Sequence, residues 1–310
     1  MTVDAIANAK AALRSIPMFD GRDPEMFAIK RLGGLTNLVY QVVAGDNSYC
    51  LRIAGEGTEE YIDRAVEAHN ATAAANAGVS PQVLHFDPTS GLMLTRYLDG
   101  TKTMSPDLFR STSGAPGRAA EAFRQLHTSG QTFQFRFELF SMIDDYLNVL
   151  ATKDTDLPEG YHDILGEAEI VRAALAANPA ALAPCHCDPL CENFLDTGTR
   201  MWIVDWEYSG MNDPLWDLGD LSVEGGFDPR HDEEMMTAYF PAGATDAQWG
   251  RMVIYKAMCD LLWTLWGLIQ HANKNPAEDF WAYATERFER CKKLMADPAF
   301  AQHIAAVSRG

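Results

Sequence analysis

Positive charge is what this 310-residue chain has least of. It carries 25 Lys and Arg against 43 Asp and Glu, a formal net charge of −18. A surface that acidic repels polyanions, so nucleic acid and acidic membranes are poor partners. Cysteine is also sparse: six residues, at 50, 185, 187, 191, 259 and 291, too unevenly spaced for a disulfide framework. Free thiols in a reducing compartment follow, and with them an expected cytoplasmic location. The opening MTVDAIANAKAALRSI lacks the apolar core and cleavage pattern of a signal peptide. The strongest apolar run, LLWTLWGLI, is short of the roughly 20 residues a membrane span needs, so no membrane insertion is expected. Internal repeats and low-complexity tracts are lacking too.

What is present is ordinary globular composition, 47% hydrophobic and 22% charged, in a chain long enough for two lobes with separate cores. Residues 1–20 read as a short helix. AIKRLGG, NLVYQVVAG and SYCLRIAG then read as strands, the last two joined by a Gly-Asp-Asn turn at 45–47. The stretch from Thr58 to Gly78 reads as a helix with Thr58 as N-cap and Gly78 closing it. PQVLHFD and GLMLTRYLDG add two strands around the turn DPTSG. Residues 115–151 and 161–179 look helical, 184–210 is a zone of short strands and loops, and from 230 onward the pattern is almost all helix. The expected class is α+β: a small lobe (1–98) with an antiparallel sheet and one main helix, then a larger, mostly helical lobe (99–310).

The densest chemistry lies in HCDPLCENFL, His186 to Leu195, and IVDWEY, Ile203 to Tyr208. Cys185, His186, Cys187 and Cys191 crowd within seven residues with no second Cys/His cluster downstream, which disfavours structural zinc. Oxygen ligands give a better account. FLDTGTRMWIV reads as a tight hairpin that returns Asp205 close to Asn193, and a carboxylate with an amide oxygen suits Mg²⁺. Asp188, at the front of the loop, stays free to meet a substrate hydroxyl. That division of labour is what phosphoryl transfer requires.

H-x-D-x-x-x-x-N followed by an Ile/Val-Asp stretch resembles the catalytic and metal loops of the protein-kinase-like phosphotransferases, the aminoglycoside phosphotransferase and choline kinase superfamily. DWEYSGMNDPLWDLGDLSVE, Asp205 to Glu224, resembles the choline/ethanolamine kinase signature, with Asp205, Glu207, Tyr208, Asn212, Asp217 and Glu224 on it. The resemblance covers about residues 28 to 290, is weakest in 107–180, and implies a bilobal protein-kinase-like fold. It implies Asp188 as catalytic base, His186 as the brace of its loop, and Asn193 and Asp205 as Mg²⁺ ligands.

LGGLTN, Leu32 to Asn37, is a glycine-bearing turn that is neither a P-loop nor a dinucleotide fingerprint. Its backbone N–H groups could cradle phosphate, and its likeness to the GG-x-[ST]-N of choline kinases puts Gly33, Gly34, Thr36 and Asn37 on ATP. Arg52 stands where protein kinases use lysine and the choline kinase branch often uses arginine; Glu67, on the following helix, would be its ion-pair partner. Thr95 to Leu98, including Tyr97, would be the hinge contacting adenine.

Trp263 and Trp266 lie three apart on one helical face. Such a pair is often plain core, yet indole faces are the best partners for a quaternary ammonium. Trp-x-x-Trp-x-x-Ile-Gln also resembles the helix walling the choline pocket. Glu207 and Glu224 could add negative charge, and Tyr208 and Tyr255 further rings. The expected activity is ATP- and Mg²⁺-dependent phosphorylation of choline. Ethanolamine, an aminoglycoside or another small amino alcohol are the alternative acceptors. A non-catalytic choline sensor would leave Asp188, Asn193 and Asp205 without a reason to occur together.

Overall fold

The computed structural model describes residues 3–33, 37–55 and 62–310. A helix, α1 (Val3–Arg14), precedes strands β1 (Ala28–Gly33), β2 (Leu38–Ala44) and β3 (Asn47–Ile53). Helix α2 (Arg64–Asn76) and strands β4 (Val83–Asp87) and β5 (Leu92–Arg96) follow. The strands form one antiparallel sheet in the order β1-β2-β3-β5-β4. The β2–β3 hairpin closes at the Ala44–Asn47 pair, and Gly45 takes the positive φ (69°) that a two-residue loop needs at its first position. Alternation puts Tyr40, Val42 and Ala44 of β2 with Leu51 of β3 and Leu94 of β5 against Ala9, Leu13, Ile16 and Phe19, a small self-contained core.

Asp63 is the N-cap of α2, its side chain accepting from the N–H groups of Ala65 and Val66. The expected cap, Thr58, lies outside the described residues. Gly78 does follow the helix in the left-handed conformation. Ala71, Ala73, Ala74 and Val79 join the core of the larger lobe, so α2 is shared between the two cores.

That larger lobe begins with β6 (Lys102–Thr103), α3 (Pro106–Ser111), α4 (Ala115–His127), α5 (Leu139–Leu150) and α6 (Tyr161–Ala177). Residues 115–151 are thus two helices. The chain breaks at Gly130 (φ 73°), and the backbones of Phe135 and Phe137 bond Met211. Short strands β7 (Ala183–Cys185), β8 (Phe194–Asp196), β9 (Met201–Ile203) and β10 (Gly210–Asn212) carry the motif zone. β8 and β9 form the expected hairpin; β7 pairs with β10, and β6 with β8. Helices α7 (Leu215–Glu224), α8 (Pro229–Tyr239), α9 (Asp246–Ala272), α10 (Phe280–Met295) and α11 (Pro298–Arg309) complete the chain.

The apolar run around Trp263 belongs to a helix longer than the sequence reading allowed. α9 spans 27 residues and is the one described helix long and apolar enough to cross a membrane by length and composition alone, yet 83% of its apolar window is buried. It is the axis against which α7, α10, α11 and α5 pack. Gly219 lets α7 approach: a Cβ there would stand 2.7 Å from the Met252 carbonyl oxygen.

Candidate active site

The catalytic-loop candidates are held from behind by a buried carboxylate. Asp217, in the first turn of α7, accepts the backbone N–H of His186 at 2.7 Å through Oδ2 and that of Cys187 at 2.8 Å through Oδ1. Its Oδ2 also meets His127 Nε2 at 3.0 Å, while His127 Nδ1 meets the Tyr239 hydroxyl at 2.8 Å. The tautomer that satisfies both has Nε2 donating to Asp217. These bonds keep Cys187 in the left-handed region (φ 68°), a conformation costing on the order of 1–3 kcal/mol for a non-glycine residue. That strained step turns the next residue, Asp188, out of the core.

His186 lies under the loop with both ring nitrogens engaged. Nε2 meets the Val204 carbonyl at 2.9 Å, and Nδ1 accepts the Asp188 N–H at 3.3 Å. Burial, the largest influence, lowers its pKa, so it is a neutral strut between the loop and the hairpin rather than a metal ligand. The three neighbouring cysteines are buried free thiols.

Asn193 donates its side-chain N–H to the Asp188 carbonyl at 3.1 Å, which leaves the amide oxygen as the atom able to meet a cation. The hairpin closes with the Val204 N–H on the Asn193 carbonyl at 2.9 Å, so Asp205 follows directly beside Asn193. Asp205 is also left-handed (φ 71°); its buried Oδ1 lies 3.9 Å from Arg52 but has no hydrogen-bond partner among the described residues. Burial first, then the charge of Glu207, drives its pKa well above the ordinary carboxylate range. An amide oxygen beside an unsatisfied carboxylate oxygen fits a hard divalent cation.

Arg52, on β3, and Glu67, on α2, form the expected buried ion pair. Arg52 also donates to the Gly91 carbonyl at 3.3 Å, and its buried Nε has no hydrogen-bond partner among the described residues. Arg64 is not a surface i,i+3 partner: it too is buried, bonding Glu67 at 2.7 Å and Glu207 at 2.5 Å. Glu207, expected at the substrate, is therefore placed elsewhere. It accepts from Arg64 and, at 3.0 Å, from Asn37, and lies 3.6 Å from Arg52, because the tight turn at Asp205 aims it into the small lobe. Asn37 in turn accepts the Gly55 N–H at 3.2 Å. Gly33 ends β1 at an irregularity in the register; Gly34 and Thr36 lie outside the described residues. Thr95 is buried inside β5, and the Tyr97 N–H is spent on Ser48 at 3.2 Å, which moves the expected hinge contact toward Leu98.

Beyond Asp188 lies a cluster of rings and carboxylates. Tyr208 stands edge-on to Trp263, centroids 5.5 Å apart, and its hydroxyl accepts the Trp266 indole N–H at 2.9 Å. Trp266 meets Phe280 and Tyr283 of α10 at 5.6 and 5.7 Å. Gly267 permits that contact, since a Cβ there would fall 2.6 Å from the Tyr283 ring. The Arg287 guanidinium covers Tyr283 at 4.5 Å and pairs with Glu224 at 2.6 Å and Asp260 at 3.2 Å. Burial, then the Glu224 charge, pushes the Asp188 pKa up to about 7, with Arg287 pulling the other way. Tyr255, expected among these rings, is instead in the core. Its hydroxyl donates to Asp213 and its ring packs on Trp216, because two turns of α9 separate it from Trp263. Asp217 was placed on the family signature without a role, and Asp220, Tyr283 and Arg287 were missed as site residues. The spacing D-x-x-D-x-x-x-E on one helix and Y-x-x-x-R on another was the available signal.

Residues 28–249 match the phosphotransferase enzyme family. A crystal structure of a choline/ethanolamine kinase family protein from Mesorhizobium loti is 62% identical, covers 99% of this chain and 100% of its own, and superposes with a TM-score of 0.90. The chain belongs to the choline/ethanolamine kinase family. The crystal structure of choline kinase LicA from Streptococcus pneumoniae is 26% identical at a TM-score of 0.73, covering 87% of this chain and 93% of its own. Protein LicA of Haemophilus influenzae is 26% identical over 272 residues, 86% of this chain and 79% of the relative. The two-lobed architecture described above is thus a kinase-like fold, and the protein is a choline/ethanolamine kinase-like phosphotransferase.

Proposed function

We propose that this family member transfers the γ-phosphoryl group of ATP to the hydroxyl of choline, giving phosphocholine. The observation that carries the reading is the position of Asp188. It projects from a braced loop, with a cation-ready pair, Asn193 and Asp205, on one side and a pocket of rings and carboxylates on the other. Residues 1–98 form the nucleotide-binding lobe and 99–310 the catalytic and acceptor-binding lobe in this reading.

Asn193 and Asp205 would hold Mg²⁺, which neutralises phosphate charge during transfer. Arg52, fixed by Glu67, presents its positive charge to the phosphates, and Leu98 offers backbone hydrogen bonding to the adenine. Asp188 aligns the acceptor hydroxyl for in-line attack and takes its proton. An aspartate with a pKa near 7 is better matched to that role than an ordinary one. Tyr208, Trp263, Trp266 and Tyr283 supply ring faces for the trimethylammonium, and Glu224 and Asp220 supply negative charge.

The test is ADP release with Mg-ATP and choline, ethanolamine or kanamycin as acceptor, with and without EDTA. Choline-dependent turnover abolished by EDTA is the expected result. Turnover with kanamycin alone would overturn the pocket assignment, and no turnover with any acceptor would overturn the reaction.

A further inference from the structure

The carboxylates around the pocket are not equivalent. Glu224 is taken by Arg287 at 2.6 Å, and Asp260 by Arg287 and Arg290 at 3.2 and 2.6 Å. Asp188 faces the reacting hydroxyl in the proposal above. Glu224 Oε1 also lacks a hydrogen bond but has Arg287 beside it, whereas Asp220 has no ion pair among the described residues. Asp220 is completely buried one turn after Asp217, and its Oδ2 accepts the Trp263 indole N–H at 3.2 Å. Among the described residues its Oδ1 is buried and has no hydrogen-bond partner. Leaving such an oxygen unmatched costs roughly 1–3 kcal/mol; the Arg287 charge acts on the carboxyl without forming an ion pair with it. The indole that walls the pocket is thus also the group that aims this carboxylate.

We propose that Asp220 is a specificity residue of the acceptor site: its unpartnered Oδ1 receives an N–H of the bound ammonium. The inference rests on the amino-alcohol kinase reading and refines it. A trimethylammonium has no N–H and gains only from the rings and the net charge. A primary or N-methylated ammonium satisfies Oδ1 as well, through a charge-assisted hydrogen bond. The site therefore takes N–H-bearing amino alcohols alongside choline, and Asp220 sets the ratio between them. Burial first, then the charges of Glu224 and Asp188, raise the Asp220 pKa, and the Arg287 charge pulls the other way.

The experiment measures kcat/KM for choline, N,N-dimethylethanolamine, N-methylethanolamine and ethanolamine in the wild type and in Asp220→Asn. In the variant the amide oxygen can keep the Trp263 bond, while an N–H replaces Oδ1. The expected result is a fall of about 10–100-fold for ethanolamine, the loss of one charge-assisted hydrogen bond. The fall for choline should be about threefold, with the two methylated amines between, and Mg-ATP binding should be unchanged. An equal fall for all four, or none, overturns the role of Asp220 while leaving the kinase reading intact. No turnover of any acceptor by the wild type sinks the kinase reading itself. Trp263→Phe keeps a ring wall but removes the N–H that aims Asp220. It should lower the ethanolamine-to-choline ratio by several-fold, whereas a weaker ring face alone would raise it; an unchanged or raised ratio overturns the proposal even where Asp220→Asn does not fold.

Discussion

Asp217 and Asp220 sit one turn apart on the same helix, both buried, and meet opposite fates. Asp217 faces the back of the catalytic loop, where two backbone N–H groups and the His127 ring consume its oxygens. Asp220 faces the tryptophans of α9, where one indole N–H is its hydrogen-bond complement among the described residues. The back of the site is thus a saturated network that fixes geometry. The front is a set of acids (Asp188, Asp205 and Asp220) for which burial outweighs the nearby Arg287 and Arg52 charges. Satisfied groups stabilise the fold; unsatisfied ones are held in readiness at its expense.

The largest expected effect strikes the front. Asp188→Asn should lower kcat by about 10²–10⁴-fold, the range for removing a general base. The same variant should raise the thermal midpoint of the ligand-free protein, because it removes an acid whose burial outweighs the nearby Arg287 charge. A fall in the midpoint would break the contrast. Next comes the back: Asp217→Ala should lose about 3–5 kcal/mol of stability, the usual result of breaking a buried charged network from one side. Chemical denaturation measures it, and an unchanged midpoint concentration would show the brace to be idle. A smaller effect sharpens the picture of the pocket wall. Tyr208→Phe removes only the hydroxyl that accepts from Trp266 and should raise the KM for choline by several-fold, about 1 kcal/mol, with kcat little changed.

A further expected effect, independent of any substitution, is a pH dependence of stability. Asp188 has a folded-state pKa of about 7, above its unfolded value near 4. The folded protein therefore binds more protons between those values. Its contribution is complete below about pH 4 and is lost as pH rises through 7. Asp205 and Asp220, raised in the same direction, add to that slope. Thermal midpoints between pH 5 and 8 should fall with rising pH in the ligand-free protein, and less so in Asp188→Asn. A midpoint that climbed over this range would contradict the dominance of burial at the front.

Local sequence was enough for anything built within one loop or hairpin. The β2–β3 turn, the β8–β9 hairpin that returns Asp205 to Asn193, and the Arg52–Glu67 pair were legible because chain connectivity over a few residues, or a strand followed by its helix, leaves few geometries. Glu207 and Tyr255 were misplaced for the converse reason. Glu207 is two residues from Asp205 and one from Tyr208, and only the left-handed turn at Asp205 decides that its side chain enters the small lobe. Tyr255 shares a helix with both tryptophans, but the packing of α7 on α9 commits it to Asp213. The cap of α2 is Asp63, whose side chain reaches the first free N–H groups of that helix.

By itself the sequence determined the reaction class, through residues whose chemistry is specific and whose spacing is local: His186, Asp188, Asn193 and Asp205. Tertiary structure alone decided which buried acids are saturated and which are open. That outcome depends on donors brought from α4, α9 and α10, far away along the chain. A carboxylate's role is fixed by the N–H groups and cations within about 3 Å of it, a set assembled only by folding.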